Sequence, residues 1–136
     1  MIHRRAEIAV ATSGRGTYDI TRAVQHAISV REGLATVFVQ HTSASLVICE
    51  NADPDVRRDL ETFLGYLVRD GDTMFVHTAE GDDDMPAHIR TVLTQTSIGI
   101  PIIDGKLGLG TWQGLYLYEH RTLPHQRRIT ITVLGE

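Results

Sequence analysis

The stretch Leu34-Ala35-Thr36-Val37-Phe38-Val39-Gln40-His41, followed by Thr42-Ser43-Ala44 and then Ser45-Leu46-Val47-Ile48-Cys49-Glu50, decides the fold class. Its β-branched and aromatic residues favour extended backbone. Side chains alternate across a strand, so Val37, Val39 and His41 share one face while Thr36, Phe38 and Gln40 share the other. The small polar segment Thr42 to Ala44 breaks the run and starts a second short, mostly apolar strand over Ser45 to Glu50. Two such strands in succession predict a sheet that is buried on at least one face.

Working outward, Glu7 to Thr12 and Thr17 to Ile20 read as strands around the turn Ser13-Gly14-Arg15-Gly16. A helix beginning near Asp19 or Thr21 places Ala23, Val24, Ala27 and Ile28 on one side, and Gly33 ends it. Asp53-Pro54 is a helix start, with Asp at the N-cap and Pro at the first helical position. Val56, Leu60, Phe63, Leu64 and Leu67 then recur at helical spacing, opposite Arg57, Arg58, Asp59 and Glu61. Thr73 to Thr78 reads as a further strand ending in His77. An acidic loop, Glu80-Gly81-Asp82-Asp83-Asp84, leads into a third helix carrying Met85, Ile89 and Leu93. Ser97 to Ile103, Thr111 to His120 and Arg127 to Leu134 read as strands, with turns at Asp104-Gly105 and Gly108 to Gly110. Strands outnumber helices and the helices interrupt runs of strands. The expected class is therefore α+β: a β-sandwich of mostly antiparallel strands flanked by about three helices, in one domain over residues 1–136.

Composition narrows the function. Hydrophobic residues are 42% and charged residues 22% of 136, the balance of a globular chain with a core. The net charge of −4 argues against a nucleic-acid partner, because phosphate backbones select basic proteins. The pairs Arg4–Arg5, Arg57–Arg58 and Arg127–Arg128 are too short for a polyanion track and read as solvated. Cys49 is the single cysteine, so no internal disulfide forms and a reducing compartment is expected. No apolar run approaches membrane-spanning length and the start has no secretory pattern. The expected location is cytoplasmic, without a membrane partner.

Seven histidines is a high count. His41 and His77 end strands and His88 falls in the first turn of a helix, where element ends gather functional groups. They form no local ligand motif, and taken singly each reads as a histidine bonded to backbone. The run Asp82-Asp83-Asp84 suits a helix N-terminus, yet three adjacent carboxylates repel one another and a cation relieves that. Asp84 and His88, four residues apart, share a helix face. Asp84 is thus a candidate metal ligand, orienting group or general base, and Glu50 is a second candidate catalytic carboxylate. Ser43 and Ser45 lack the elbow of a hydrolase nucleophile. Asn51, Trp112 and Gln113 are polar or glycine-flanked enough to approach a ligand. Gly108-x-Gly110 matches no nucleotide-binding pattern.

Four segments together resemble the YjbQ-type family: His41-Thr42-Ser43-Ala44-Ser45-Leu46; Glu50-Asn51-Ala52-Asp53-Pro54-Asp55-Val56; Gly81-Asp82-Asp83-Asp84-Met85-Pro86-Ala87-His88-Ile89; and Gly110-Thr111-Trp112-Gln113-Gly114 continuing through Glu119-His120-Arg121. Leu134-Gly135-Glu136 is similar as well. Their order covers nearly the whole chain, although Cys49 stands where Asn is expected in many relatives. The resemblance implies a homotrimer with a pocket at or near subunit contacts, and a metal site at His41, His77 and His88 beside the acidic loop. It also implies a weak thiamine-phosphate synthase activity, joining a pyrimidine diphosphate to a thiazole phosphate with loss of pyrophosphate.

Two functions follow as expectations. The first is a metal-dependent enzyme, a transferase or hydrolase, acting on a small phosphorylated or heterocyclic substrate. Three histidines favour zinc, while the acidic loop would suit Mg²⁺. Thr42, Ser43, Asn51, Trp112, Gln113 and Arg121 would contact the substrate. The second is a non-catalytic homotrimer that binds a small ligand or metal.

Overall fold

The computed structural model describes all of residues 1–136. In chain order the elements are β1 (Ile2–Thr12), β2 (Gly16–Asp19), α1 (Thr21–Gln25), β3 (Gly33–Val39), β4 (Ala44–Glu50), α2 (Pro54–Leu67), α3 (Asp84–Leu93), β5 (Ser97–Ile103), β6 (Lys106–Leu107), β7 (Gln113–Glu119) and β8 (His125–Gly135). One sheet has the order β1-β8-β3-β5-β6 and the other β2-β7-β4, with every pairing antiparallel. This is an α+β fold with two sheets face to face and three helices.

The period-2 pattern explains the layering. Ala35, Val37 and Val39 of β3, Ile98, Ile100 and Ile102 of β5, and Ile129, Ile131 and Val133 of β8 all point inward. They meet Leu46 of β4 and Leu115 and Leu117 of β7 from the smaller sheet, and Ile20 and Val24 close one end. Each fully buried aliphatic side chain contributes about 1.5–3 kcal/mol relative to exposure, so this interlocked set is the main source of stability. Asp104 and Gly105 both have positive φ, 51° and 80°, and form the two-residue hairpin between β5 and β6.

The helices differ from the sequence reading in instructive ways. Helix α1 ends at Gln25, so Ala27 and Ile28 lie beyond it in a turn. Helix α2 starts as expected, with Asp53 accepting from the Asp55 N–H and Pro54 in the first turn. Its apolar stripe, however, buries no residue: Phe63, Tyr66 and Leu67 are exposed. Thr73 to Thr78 is not a strand. The Asp72 carboxylate accepts from the Met74 N–H at 3.0 Å and the Asp72 carbonyl from the Phe75 N–H at 3.2 Å. Gly71, at φ 71°, turns the chain before them. These local turns use the backbone groups a ladder would need, and the segment becomes a loop that leaves Val76 97% exposed.

Beneath α2 and α3, the outer face of the small sheet is polar. Tyr118 donates to Glu61 Oε1 at 3.0 Å, and the buried Arg90 donates to both Glu61 oxygens at 2.8 and 3.1 Å. Ser45 Oγ lies 2.8 Å from His120 Nε2 and accepts from the Thr94 hydroxyl. Burial, reinforced by the charges of Arg90 and Arg15, holds the His120 imidazole down to about 3.

Candidate metal centre

Strands β4 and β7 run antiparallel from one end of the sandwich to the other, pairing Ala44 with Glu119 and Glu50 with Gln113. Six residues of strand separate these ends by about 20 Å. The residues singled out from sequence therefore fall into separate places within one chain.

At the Glu119 end, the loop through His77 meets the first turn of α3. Asp84 is the first residue of that helix and His88 lies one turn on, on the same face. His77 Nε2 is 2.7 Å and His88 Nε2 3.2 Å from the same Asp84 oxygen, Oδ2. The three ligand atoms all lie within 4.8 Å of one another. Zinc held at about 2.0–2.1 Å in a tetrahedron spaces its ligand atoms roughly 3.3 Å apart, so the His88–Asp84 separation already suits it. An ion would take the place of the Nε2 protons that bond Asp84, and the His77–Asp84 pair, at 2.7 Å, would open to reach that spacing. Two imidazoles and one carboxylate form a borderline-soft donor set that fits zinc better than the all-oxygen shell preferred by Mg²⁺.

Arg121 fixes that carboxylate. Its Nη1 donates to Asp84 Oδ1 at 2.8 Å, its Nε to Asp83 Oδ2 at 2.9 Å and its Nη2 to the Glu80 carbonyl at 2.9 Å. Each guanidinium nitrogen thus has a partner within the chain, and Arg121 positions the acidic loop. Burial opposes ionisation of Asp83, but the Arg121 and Thr122 hydrogen bonds overcome it and hold the carboxyl at about 2. Burial likewise opposes Asp84, and the His77 bond, the Arg121 charge and His88 keep its carboxyl below the ordinary range. Three acids, Asp83, Asp84 and Glu80, surround this one guanidinium, so the local field remains favourable to a cation. A cleft of about 290 Å³ adjoins the cluster, lined by His77, Phe75, Met85, Thr78 and Asp82 among others.

His41 does not join this cluster. Its Nε2 accepts the Arg128 backbone N–H at 2.8 Å, which uses the lone pair a metal would need and leaves the ring proton on Nδ1. Within the chain, the third member of the cluster with His77 and His88 is Asp84. Thr42 and Ser43 lie with His41 along a separate cleft.

The remaining expected residues sit at the opposite end. Glu50 Oε2 accepts the Asp53 N–H at 2.7 Å, a bond at the start of α2 that places this carboxylate away from the His77–Asp84–His88 cluster. Asn51 donates to the carbonyls of Thr111 and Gln113 at 3.3 and 3.4 Å, and Gln113 Oε1 accepts the Gly110 N–H. These side chains shape the turn around the exposed Trp112.

Sequence reasoning passed over Arg127 and Glu119. Arg127 was read as half of a solvated pair, yet it is 4% exposed and bonds the fully buried Glu119 through Nε and Nη2. Its phase was the available signal: Arg127 alternates with Ile129, Ile131 and Val133 on the inward face of β8. Glu119 joins the two regions, because its Oε2 also accepts the Arg121 N–H at 3.2 Å.

This architecture and its motifs match known proteins. The family model described as UPF0047 protein YjbQ-like covers residues 6–136. The chain belongs to the YjbQ family. A UPF0047 protein of Synechocystis is 52% identical over 95% of this chain and 90% of its own length. The UPF0047 protein YjbQ of Escherichia coli is 39% identical over 95% and 96% of the two chains. Among solved structures, a conserved hypothetical protein of Thermus thermophilus is 33% identical with a TM-score of 0.87, covering 95% of this chain and 99% of its own. A hypothetical protein of Aeropyrum pernix is 29% identical with a TM-score of 0.89, over 98% and 99%. The YjbQ relationship thus extends across both sheets and the α3 site.

Proposed function

We propose that this YjbQ-family protein is a metal-dependent enzyme acting on a small phosphorylated or heterocyclic substrate, with a divalent ion, zinc by preference, held by His77, Asp84 and His88. The observation that carries the reading is the convergence of two imidazole nitrogens on one buried carboxylate oxygen, beside an open cleft. Such an ion supplies Lewis-acid polarisation of a phosphoryl or carbonyl oxygen and lowers the pKa of a bound water. The chain's own groups do the rest. Arg121 holds Asp84 by Oδ1 so that Oδ2 faces the histidines, and Phe75 and Met85 give the cleft an apolar wall for a ring. The transfer reaction implied by the resemblance, in which a thiazole phosphate bonds to the pyrimidine of a pyrimidine diphosphate and pyrophosphate leaves, falls in this substrate class.

The reading includes assembly into a homotrimer, three being the number the resemblance implies. Support comes from α2, which exposes Phe63 and Leu67 beside Tyr66, over whose ring the Arg69 guanidinium lies at 5.3 Å.

The test is a screen of phosphate and pyrophosphate esters with the zinc-loaded protein, alongside Asp84→Asn. Metal-dependent turnover that Asp84→Asn reduces at least a hundredfold supports the proposal. Turnover unchanged by Asp84→Asn, or by chelation, overturns it.

A further inference from the structure

The second cleft, about 500 Å³, opens at the end of β3 and β4 and is lined by Gln40, His41, Thr42, Ser43, Thr96 and Arg127 with two apolar neighbours. What distinguishes it is a surplus of hydrogen-bond donors. Arg127 is 96% buried by its 4% exposure and is locked in place: Nε and Nη2 bond Glu119, and Nη2 also bonds the Ser43 carbonyl and hydroxyl at 3.2 and 2.9 Å. Nη1 has no protein partner, is not sealed from solvent, and belongs to a residue that lines the cleft. Ser43 Oγ accepts from Arg127, so its own hydroxyl hydrogen is free to be donated outward.

His41 adds a donor of fixed identity. Because Nε2 accepts the Arg128 N–H, the neutral ring carries its hydrogen on Nδ1. Burial and the charges of Arg127 and Arg128 lower the His41 pKa, which keeps the ring in that neutral, singly donating form. Thr42 and Thr96, whose hydroxyls make no hydrogen bond within the chain, also line the cleft. No carboxylate lines the cleft, and the nearest, Glu119, has both oxygens occupied by Thr12, Arg127 and Arg121. Arg128 lies close by, with only a solvent-exposed contact to Glu7 at 3.7 Å to offset its charge.

A concave site with a buried, pre-oriented guanidinium, several free hydroxyls and no acid is complementary to an oxyanion. We propose that the cleft formed by His41, Thr42, Ser43 and Arg127 binds a phosphate group, either free inorganic phosphate or the phosphate of a small ester. The site stands apart from the proposed metal centre in its residues and in its charge, and it does not require an ion there.

The experiment is calorimetric titration of the chelator-stripped, folded protein with inorganic phosphate and with glycerol phosphate. Saturable binding at one site per chain is expected. His41→Gln retains an acceptor for the Arg128 N–H but removes the Nδ1 donor, and Thr42→Val removes a hydroxyl. Each is expected to weaken binding roughly threefold to tenfold, the worth of one hydrogen bond. His88→Ala, in contrast, is expected to bind phosphate as the unmodified protein does. Tighter binding of glycerol phosphate identifies an ester as the natural source, and equal or weaker binding identifies free phosphate. The absence of saturable binding, or a loss in His88→Ala with His41→Gln and Thr42→Val unaffected, overturns the proposal.

Discussion

His77 and His88 turn their Nε2 atoms to one carboxylate oxygen at 2.7 and 3.2 Å, whereas His41 turns its Nε2 to a backbone N–H at 2.8 Å. The first pair sits among three acids and one committed arginine. His41 sits beside two arginines and a carboxylate that is already fully bonded. On the two proposed readings the same side chain serves a cation in one place and donates to an anion in the other. What separates the two sites is the partner of a single ring nitrogen and the sign of the surrounding charge. Glu119 links them, bonding the Arg121 backbone on one side and the Arg127 guanidinium on the other.

The largest effect is expected from breaking that link. Arg127→Met leaves Glu119 as an unpaired charge in the interior and should cost about 3–5 kcal/mol of stability, measured by denaturant unfolding. The double variant Arg127→Met with Glu119→Gln should recover much of it, since the remaining group is neutral. Removing the other arm tests the cation side. Arg121→Met frees Asp84 Oδ1 and should weaken zinc binding about tenfold to a hundredfold, the usual effect of losing a group that orients a ligand. Phosphate binding at the His41 cleft should remain, because Arg121 does not line it.

Acid should act on the polar layer under the helices. His120 takes up a proton when unfolded below about 6.5, but when folded only at about 3. Unfolding therefore binds a proton between these values, and stability is full above about 6.5 and falls as the pH drops. The slope is about 1.4 kcal/mol per pH unit in that window. Unfolding midpoints of the protein and of His120→Phe, compared between pH 6.5 and 4, check this: the variant should be flatter. The smallest effect is expected at the far end. Glu50→Gln keeps an acceptor for the Asp53 N–H and should change stability by less than about 1 kcal/mol, with zinc content unaltered. A loss of metal in this variant would erase the distinction between the two ends of the sandwich.

The sandwich was legible because β3, β5 and β8 alternate cleanly, and the start of α2 because Asp53-Pro54 is a local signal. The pairing of Asp84 with His88 was legible for the same kind of reason, one helical turn of spacing. Loop 73–78 was not, since Phe75 and Val76 favour a strand and the Asp72 turn that overrides them depends on one side-chain bond. The split among the histidines was hidden for a different reason. Whether His41 Nε2 is free depends on Arg128, eighty-seven residues away. Burial of Arg127 could have been read from its phase on β8, but the charge of an Arg–Arg pair argued the other way.

Metal content per chain, determined by elemental analysis of purified protein reloaded with zinc, beside His77→Ala, His88→Ala and His41→Gln, tests the proposed His77–Asp84–His88 site directly. One zinc per chain is expected in the unmodified protein and in His41→Gln, with zinc lost from the other two while all remain folded. Zinc retained by both His77→Ala and His88→Ala, or absent from every preparation, would contradict it.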